Sequence, residues 1–145
     1  MNHISFFKNG RFSLSNNNPY YVEKDNALFS KDMKKIYIIK AEKEVIYEDD
    51  VEIMPLAFSG FSSSNVINFY GKVNKIHSYA INSYGTIINF YNDVNNIDER
   101  IFTNLANYVV INFNNHAKEY SENSFVEPKH DFDPKYEIYI NVNLS

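Results

Sequence analysis

The stretch from Asn96 to Tyr120 restricts the possible folds most, because it is the longest segment with one regular hydrophobic pattern. Asn96 suits a helix cap, and the acidic residues Asp98 and Glu99 suit the positive end of a helix dipole. Apolar residues at four-residue spacing lie on one side of an α-helix. They are Ile97, Ile101, Leu105, Val109, Phe113 and Ala117. The pattern therefore predicts one long helix that covers a sheet.

The segments before and after this stretch have the patterns of β-strands. Asn9-Gly10 favours a two-residue hairpin turn near the start of the chain. Short apolar segments then follow one another between residues 36 and 91, and the last three of them predict a meander. Tyr136 to Leu144 alternates apolar and polar residues, which predicts a final strand with one buried face.

This order of elements predicts an α+β fold. Its parts are a twisted, mainly antiparallel sheet of about seven or eight strands, one long helix near the C-terminus that packs on it, and a final strand that returns to the sheet. The same order also suits a closed barrel with the helix on its outside. At 145 residues the chain fits a single domain, residues 1–145.

One internal similarity stands apart from this prediction. Val66 to Asn74, VINFYGKVN, matches Ile87 to Asn95, IINFYNDVN. The match is either a duplicated strand and turn or a coincidence among residues that are abundant in this chain. Two copies are too few to indicate a solenoid, so the fold prediction does not use them.

Composition excludes several classes of function. The chain has no cysteine, which excludes disulfides, thiolate metal ligands and a cysteine nucleophile. A net charge of −4 argues against a dedicated nucleic-acid binder, which usually has a basic face. No secretory signal and no apolar segment long enough to span a bilayer is visible. We therefore expect a cytoplasmic protein that associates with neither membranes nor nucleic acid.

Motifs for catalysis or cofactor binding are missing from the sequence. It has no nucleophile elbow, no glycine-rich phosphate loop and no dinucleotide fingerprint. His77 precedes Ser78, but neighbours on a strand point to opposite faces. The acidic loop around His130 lacks the glycine of an EF-type calcium site. We expect no catalytic residues, no metal and no cofactor, and hence a protein that is not an enzyme.

The remaining signal is a combination of acidic clusters and tyrosines, which favours protein binding. Tyrosine has an apolar ring and a polar tip, and acidic groups steer a basic partner towards a surface. The candidate partner-binding residues are Tyr47 as an anchor with the carboxylates of Glu48, Asp49, Asp50 and Glu52. The most specific hypothesis is an immunity protein or antitoxin that occludes the active site of a basic bacterial toxin, such as a nuclease domain.

A second hypothesis from another class is a calyx, which is a β-barrel that holds a small apolar molecule. Its lining would come from the aromatic residues Phe69, Tyr79, Phe90 and Tyr139. Neither the identity of a partner nor the oligomeric state follows from the sequence.

Overall fold

The structure, a computed structural model, describes residues 4–6, 12–14, 18–40, 44–58, 65–81, 85–103, 107–126 and 136–142. Within these residues the chain forms fourteen strands and one short 3-10 helix, Glu122–Phe125. The strands are β1 (Ile4–Phe6), β2 (Phe12–Leu14), β3 (Tyr21–Lys24), β4 (Ala27–Ser30), β5 (Lys35–Ile39), β6 (Glu44–Tyr47), β7 (Val51–Ile53), β8 (Asn65–Phe69), β9 (Val73–Ile76), β10 (Thr86–Phe90), β11 (Val94–Asn96), β12 (Asn107–Phe113), β13 (Ala117–Glu119) and β14 (Tyr136–Val142).

The prediction of an α+β fold with one long helix is wrong. The stretch predicted as helical contains the end of β11, all of β12 and all of β13. Its backbone bonds to the following part of the chain rather than four residues back: Ile97 N donates to Glu119 O at 2.7 Å and Ile101 N to Ser124 O at 3.1 Å. The described part of the chain is nearly all sheet. None of its helices is long and apolar enough to cross a membrane.

Apart from β1 and β2, which form a separate two-stranded sheet, the strands belong to two large sheets in which most neighbours run parallel, not to one antiparallel sheet. The first sheet has the order β14-β12-β10-β8-β6, and all its pairs are parallel. The second has the order β13-β11-β9-β7-β5-β4-β3, with antiparallel pairs only among β3, β4 and β5. The predicted meander is therefore wrong as well, since β8 and β10 pair side by side while β9 lies in the other sheet.

The chain reaches this topology by repeating a coil of one strand from each sheet. Four coils are described: residues 44–58, 65–81, 85–103 and 107–126. Stacking of coils buries a continuous core that no single coil could bury alone, which is the principle of a solenoid. The similarity between Val66–Asn74 and Ile87–Asn95 is thus a real repeat, because β8 pairs with β10 in register from Asn65↔Thr86 to Phe69↔Phe90.

The core consists of rows of inward-facing side chains that run from coil to coil. One row is aromatic, with the rings of Tyr47, Phe69, Phe90 and Phe113 separated by 5.4, 5.2 and 5.2 Å between centroids. A second row is aliphatic and at most 4% exposed: Val45, Ile67, Ile88 and Ile111. Strand alternation directs these two rows inward and the residues between them outward.

A third side closes each coil through backbone hydrogen bonds. Leu56, Tyr79 and Arg100 adopt positive φ angles of 61°, 61° and 54° at matching positions of successive coils. Leu56 N donates to Tyr79 O at 2.9 Å, and Tyr79 N donates to Arg100 O at 2.8 Å. The left-handed conformation, uncommon for residues other than glycine, turns the chain at the same place in the first three coils.

The two ends of the stack differ. At the N-terminal end, β4 covers the first coil with Ala27 and Phe29, which are 0% and 3% exposed, and Phe29 meets Tyr47 edge-on at 5.9 Å. At the other end β14 returns to pair with β12 in parallel, so the expected return of the last strand to a sheet is confirmed.

The N-terminal hairpin is also present, but Phe6 pairs with Phe12 rather than with Ser13, the partner that a two-residue Asn9-Gly10 turn would give.

Candidate partner-binding surface

Three of the four predicted acidic residues, Glu48, Asp49 and Asp50, lie at the corner where the chain passes from the first sheet to the second. This first corner contains residues 48–50, 70–72, 91–93 and 114–116 from the four coils. Backbone bonds fix it: Tyr70 N donates to Tyr47 O at 2.8 Å and Tyr91 N to Phe69 O at 2.9 Å. The side chains of the corner therefore form columns across the coils at the spacing of paired strands, about 4.8 Å.

Two tyrosines stack in the outermost column of the first corner. The rings of Tyr70 and Tyr91 lie 4.6 Å apart between centroids with an angle of 7° between their planes. The side chains remain 46% and 43% exposed although each is stacked against the other. Mutual stacking restricts the rotamers of both rings, so a partner that contacts them loses little side-chain entropy in fixing them.

Carboxylates of the first coil lie next to these rings. Because Tyr47 pairs with Phe69, the register places Glu48 beside Tyr70 at the end of the column. Glu48, Asp49 and Asp50 are all exposed. Asp50 has a structural contact as well, since its Oδ1 accepts a hydrogen bond from Lys72 N at 2.8 Å. The corner thus combines exposed aromatic surface with negative charge.

A glycine makes the close approach of the first two coils possible. A Cβ atom placed on Gly71 would lie 2.3 Å from Asp49 O and 2.4 Å from Asp49 C, far inside any real contact. The equivalent residue of the next coil, Asn92, carries a side chain whose Oδ1 accepts from Asp93 N at 2.8 Å. The first corner is therefore tightest where Asp49 lies.

An ion pair joins the third and fourth coils at the same corner. Asp93 Oδ2 lies 3.1 Å from Lys118 Nζ. The hydrogen bond from Lys118 lowers the pKa of the Asp93 carboxyl, and backbone and charge contacts of His116 act in the same direction. Asp93 is thus held in its ionised form, and its charge is compensated by that of Lys118.

The predicted anchor, Tyr47, is not at the surface. It is 2% exposed and belongs to the aromatic row of the core. Burial, followed by the negative charge of Asp25, raises the pKa of its phenol. Its hydroxyl is buried and has no hydrogen-bond partner among the residues that the structure describes. The structure therefore gives Tyr47 a role in packing, and the exposed aromatic residues of this region are Tyr70 and Tyr91.

Glu52 separates from the other three predicted carboxylates. It lies on the outer face of β7, where its Oε1 is 2.5 Å from His77 Nε2 on the next coil. His77 Nδ1 is in turn 3.9 Å from Asp98 Oδ2, and Lys75 Nζ is 3.5 Å from Asp98 Oδ1. This network of polar side chains ties three coils together on the outer face of the second sheet.

A ladder of amides stiffens the first sheet next to the corner. Asn141 donates to Asn112, Asn112 to Asn89 and Asn89 to Asn68, with Nδ2 to Oδ1 distances of 2.8, 2.7 and 2.9 Å. Asn68 Nδ2 then donates to Glu44 Oε1 at 3.0 Å. The hydrogen bonds cross five strands, so they hold the coils in register.

Other predicted groupings are not brought together. Phe69 and Phe90 stack in the core, whereas Tyr79 and Tyr139 are each 50% exposed, so these four residues line no common cavity. His130 lies outside the described residues. In the part of the chain that the structure describes, no group of three or more His, Cys, Asp or Glu residues could hold a metal ion.

The comparisons with known proteins leave this surface to be judged on its geometry alone. No protein-family model, no curated protein and no solved structure matches the chain.

Proposed function

We propose that the chain is a non-enzymatic binding module that recognises a basic protein through the first corner. The observation that supports this proposal best is the exposed, stacked pair Tyr70–Tyr91 beside the carboxylates of Glu48, Asp49 and Asp50. Tyrosine is enriched at protein interfaces because it supplies a large contact area with few rotatable bonds.

The chemistry of the corner favours arginine and lysine on the partner. A guanidinium or ammonium group over a tyrosine face is attracted by about 0.5–1 kcal/mol at an exposed site. Carboxylates next to the ring accept hydrogen bonds from the same cation. The negative charge of the corner also steers a basic partner during diffusion, which raises the association rate at low salt.

The specific version of this proposal keeps the partner expected from the sequence. It is a basic bacterial toxin, for example a nuclease domain, that the chain inhibits in the cytoplasm as an immunity protein or antitoxin. Inhibition would need only that the corner cover the cationic groups with which the toxin binds its own substrate. A toxin gene adjacent to the gene for this chain would support this version.

The test is affinity capture followed by quantitative binding. The tagged chain and its Tyr70→Ala/Tyr91→Ala double variant are used to capture proteins from the native cell extract. Any protein retained more strongly by the unaltered chain is then purified and titrated against both. We expect a basic protein whose affinity falls at least about tenfold for the double variant, as loss of a central interface contact does.

The matched control is Tyr79→Ala. Tyr79 is 50% exposed, as open to solvent as the two corner tyrosines, but lies beyond the end of β9, on the third side of its coil. Its replacement should leave the affinity unchanged. The proposal fails if both forms of the chain retain the same proteins, or if Tyr79→Ala weakens binding as much as the double variant.

A further inference from the structure

The C-terminal end of the first sheet has an unusually open strand. β14 is the edge of that sheet, and all seven of its residues pair with β12 on one side only. No strand among the described residues pairs with its other side. The free row of N–H and C=O groups on such an edge is a template for another strand.

The core is also less covered at this end than elsewhere. Ile140 continues the row of Ile67, Ile88 and Ile111, which are all 0% exposed, yet Ile140 itself is only half-buried. Val142 continues the aromatic row and is 42% exposed. At the N-terminal end, by contrast, Phe29 of β4 packs edge-on against Tyr47, the first ring of the aromatic row. Solenoids normally cover their terminal coils, because an open end exposes apolar surface.

The sequence of β14 contains none of the usual protection against edge pairing. The strand reads YEIYINV, with no lysine, no proline and no glycine. Natural edge strands discourage pairing with such residues. Its single charged residue, Glu137, is bound within the strand, since Tyr139 Oη donates to Glu137 Oε2 at 2.6 Å.

We propose that β14 is a dimer interface at which two copies of the chain pair their last strands in antiparallel orientation. The register that pairs all seven residues is centred on Tyr139, opposite Tyr139 of the second copy. It sets Ile138 against Ile140 on the inner face and Glu137 against Asn141 on the outer face. The strand is therefore self-complementary about a two-fold axis, as an isologous interface requires.

The alternative of head-to-tail stacking fits the edges less well. It would pair β14 with β6 of the next copy, and β6 has only four residues. The amide ladder ends at Asn141, and in a continued register Asn141 would face Ile46, whose side chain can make no hydrogen bond. The two-fold arrangement pairs strands of equal length, and it sets Asn141, whose Nδ2 carries two N–H groups, opposite the carboxylate of Glu137, which accepts hydrogen bonds.

The central position provides a sharp test by charge. Tyr139 is 50% exposed, so a charged residue there is compatible with the fold. Tyr139→Lys and Tyr139→Glu each place like charges directly opposite one another in the dimer, which is destabilising for a cross-strand pair. By sedimentation from micromolar to millimolar concentration, we expect dimers of the unaltered chain, monomers of each variant alone, and dimers again in their equimolar mixture.

The chain has no cysteine, so single cysteine variants report the register without background. Directly opposed residues have Cβ atoms about 4.5–5.5 Å apart, close to the separation in a disulfide. Under mild oxidation Tyr139→Cys should form a covalent dimer, while Glu137→Cys and the equally exposed control Tyr79→Cys should not. Circular dichroism checks that each variant keeps its sheet.

Three results would overturn the dimer. The first is a monomeric unaltered chain over the whole concentration range, and the second is a dimer that persists in Tyr139→Lys. The third is cross-linking of Tyr79→Cys or Glu137→Cys as efficient as that of Tyr139→Cys. Loss of the dimer would leave the proposal for the first corner untouched, because β14 and the corner are different surfaces.

Discussion

Asn68 donates a hydrogen bond from its Nδ2 to Glu44 Oε1 at 3.0 Å, so the amide ladder of the first sheet ends on a carboxylate. Asn68 is 4% exposed although it lies on the outer side of the strand. Each amide accepts from the coil that follows and donates to the coil that precedes. Hydrogen bonds arranged in such a series polarise one another and gain strength.

A break in the middle of the ladder should therefore destabilise the fold. Asn89→Ala removes the donor to Asn68 and the acceptor of Asn112 at once. Because an unsatisfied buried polar group costs about 1–3 kcal/mol, we expect the free energy of unfolding to fall by about that amount. Urea denaturation followed by circular dichroism measures it.

The control for the ladder is Asn95→Ala. Asn95 bonds to Asn74 across the same coil boundary but in the second sheet, at 3.3 Å and in an exposed position. Its loss should change the free energy of unfolding by less than about 0.5 kcal/mol, as is usual for exposed sites. Equal losses for Asn89→Ala and Asn95→Ala would show that the ladder gives no special stability.

Gly71 should tolerate no side chain. A Cβ atom at this position would lie 2.3 Å from Asp49 O, and the obstructing atom is backbone, which cannot rotate away. We expect Gly71→Ala to lower the free energy of unfolding by about 1–3 kcal/mol, the usual cost of overpacking. Thermal unfolding provides the measurement, with Asn92→Ala at the equivalent place of the next coil as a control that should change stability little.

Tyr47→Phe should stabilise the protein, although it removes a polar group. The hydroxyl of Tyr47 is buried and has no hydrogen-bond partner in the described part of the chain, whereas water hydrates it in the unfolded chain. We expect the free energy of unfolding at pH 7 to rise by about 1 kcal/mol. The exposed Tyr91→Phe is the control and should leave stability unchanged. A loss of stability in Tyr47→Phe would mean that the hydroxyl has a partner after all.

The same substitution should change the response to alkali. Burial raises the pKa of Tyr47 in the folded state above its ordinary value near 10. As the pH rises, the Tyr47 phenol therefore ionises in the unfolded chain before it does so in the folded chain. Its contribution to the free energy of unfolding is complete below about pH 10 and is lost as the pH rises further. In urea titrations above pH 10, Tyr47→Phe should lose stability less steeply than the unaltered chain.

The sequence revealed most of the buried residues in the Asn96–Tyr120 stretch but not how they are buried. Ile97, Ile101, Val109 and Phe113 are all at most 4% exposed, as the four-residue spacing predicted, whereas Ala117 is only half-buried and Leu105 lies outside the described residues. They face inward from different sides of successive coils rather than from one side of a helix. The alternation of Val109, Ile111 and Phe113 with outward-facing residues was the local sign of a strand, and the longer period concealed it.

The repeat was visible only where two coils have equal length. Paired asparagines lie 21 residues apart between the second and third coils, 23 between the third and fourth, and 29 between the fourth coil and β14. Connections of different length between the strands removed the regular period from the sequence. Parallel strands are also not joined by tight hairpin turns, so no local turn signature such as Asn-Gly marks their pairing. Tyr47 was predicted as a surface anchor. Its place two residues after Val45 on the same strand indicated instead that both side chains point inward.

The ion pair between Asp93 and Lys118 should make stability depend on acid. The pKa of Asp93 is lowered in the folded state, chiefly by the hydrogen bond from Lys118. Its contribution is therefore present above the unfolded pKa of about 4 and is lost as the pH falls below that value. Asp93→Asn should be less stable than the unaltered chain at pH 7, and the difference should shrink as the pH is lowered from 4 to 2.

A double-mutant cycle isolates the pair from other effects of either substitution. The cycle combines Asp93→Asn with Lys118→Met and is measured by urea unfolding at pH 7 and pH 3. We expect a favourable coupling between the two residues at pH 7 that is smaller at pH 3, and smaller again in high salt because the lysine is half exposed. A coupling that is the same at both pH values would show that the charge of Asp93 does not join the third and fourth coils.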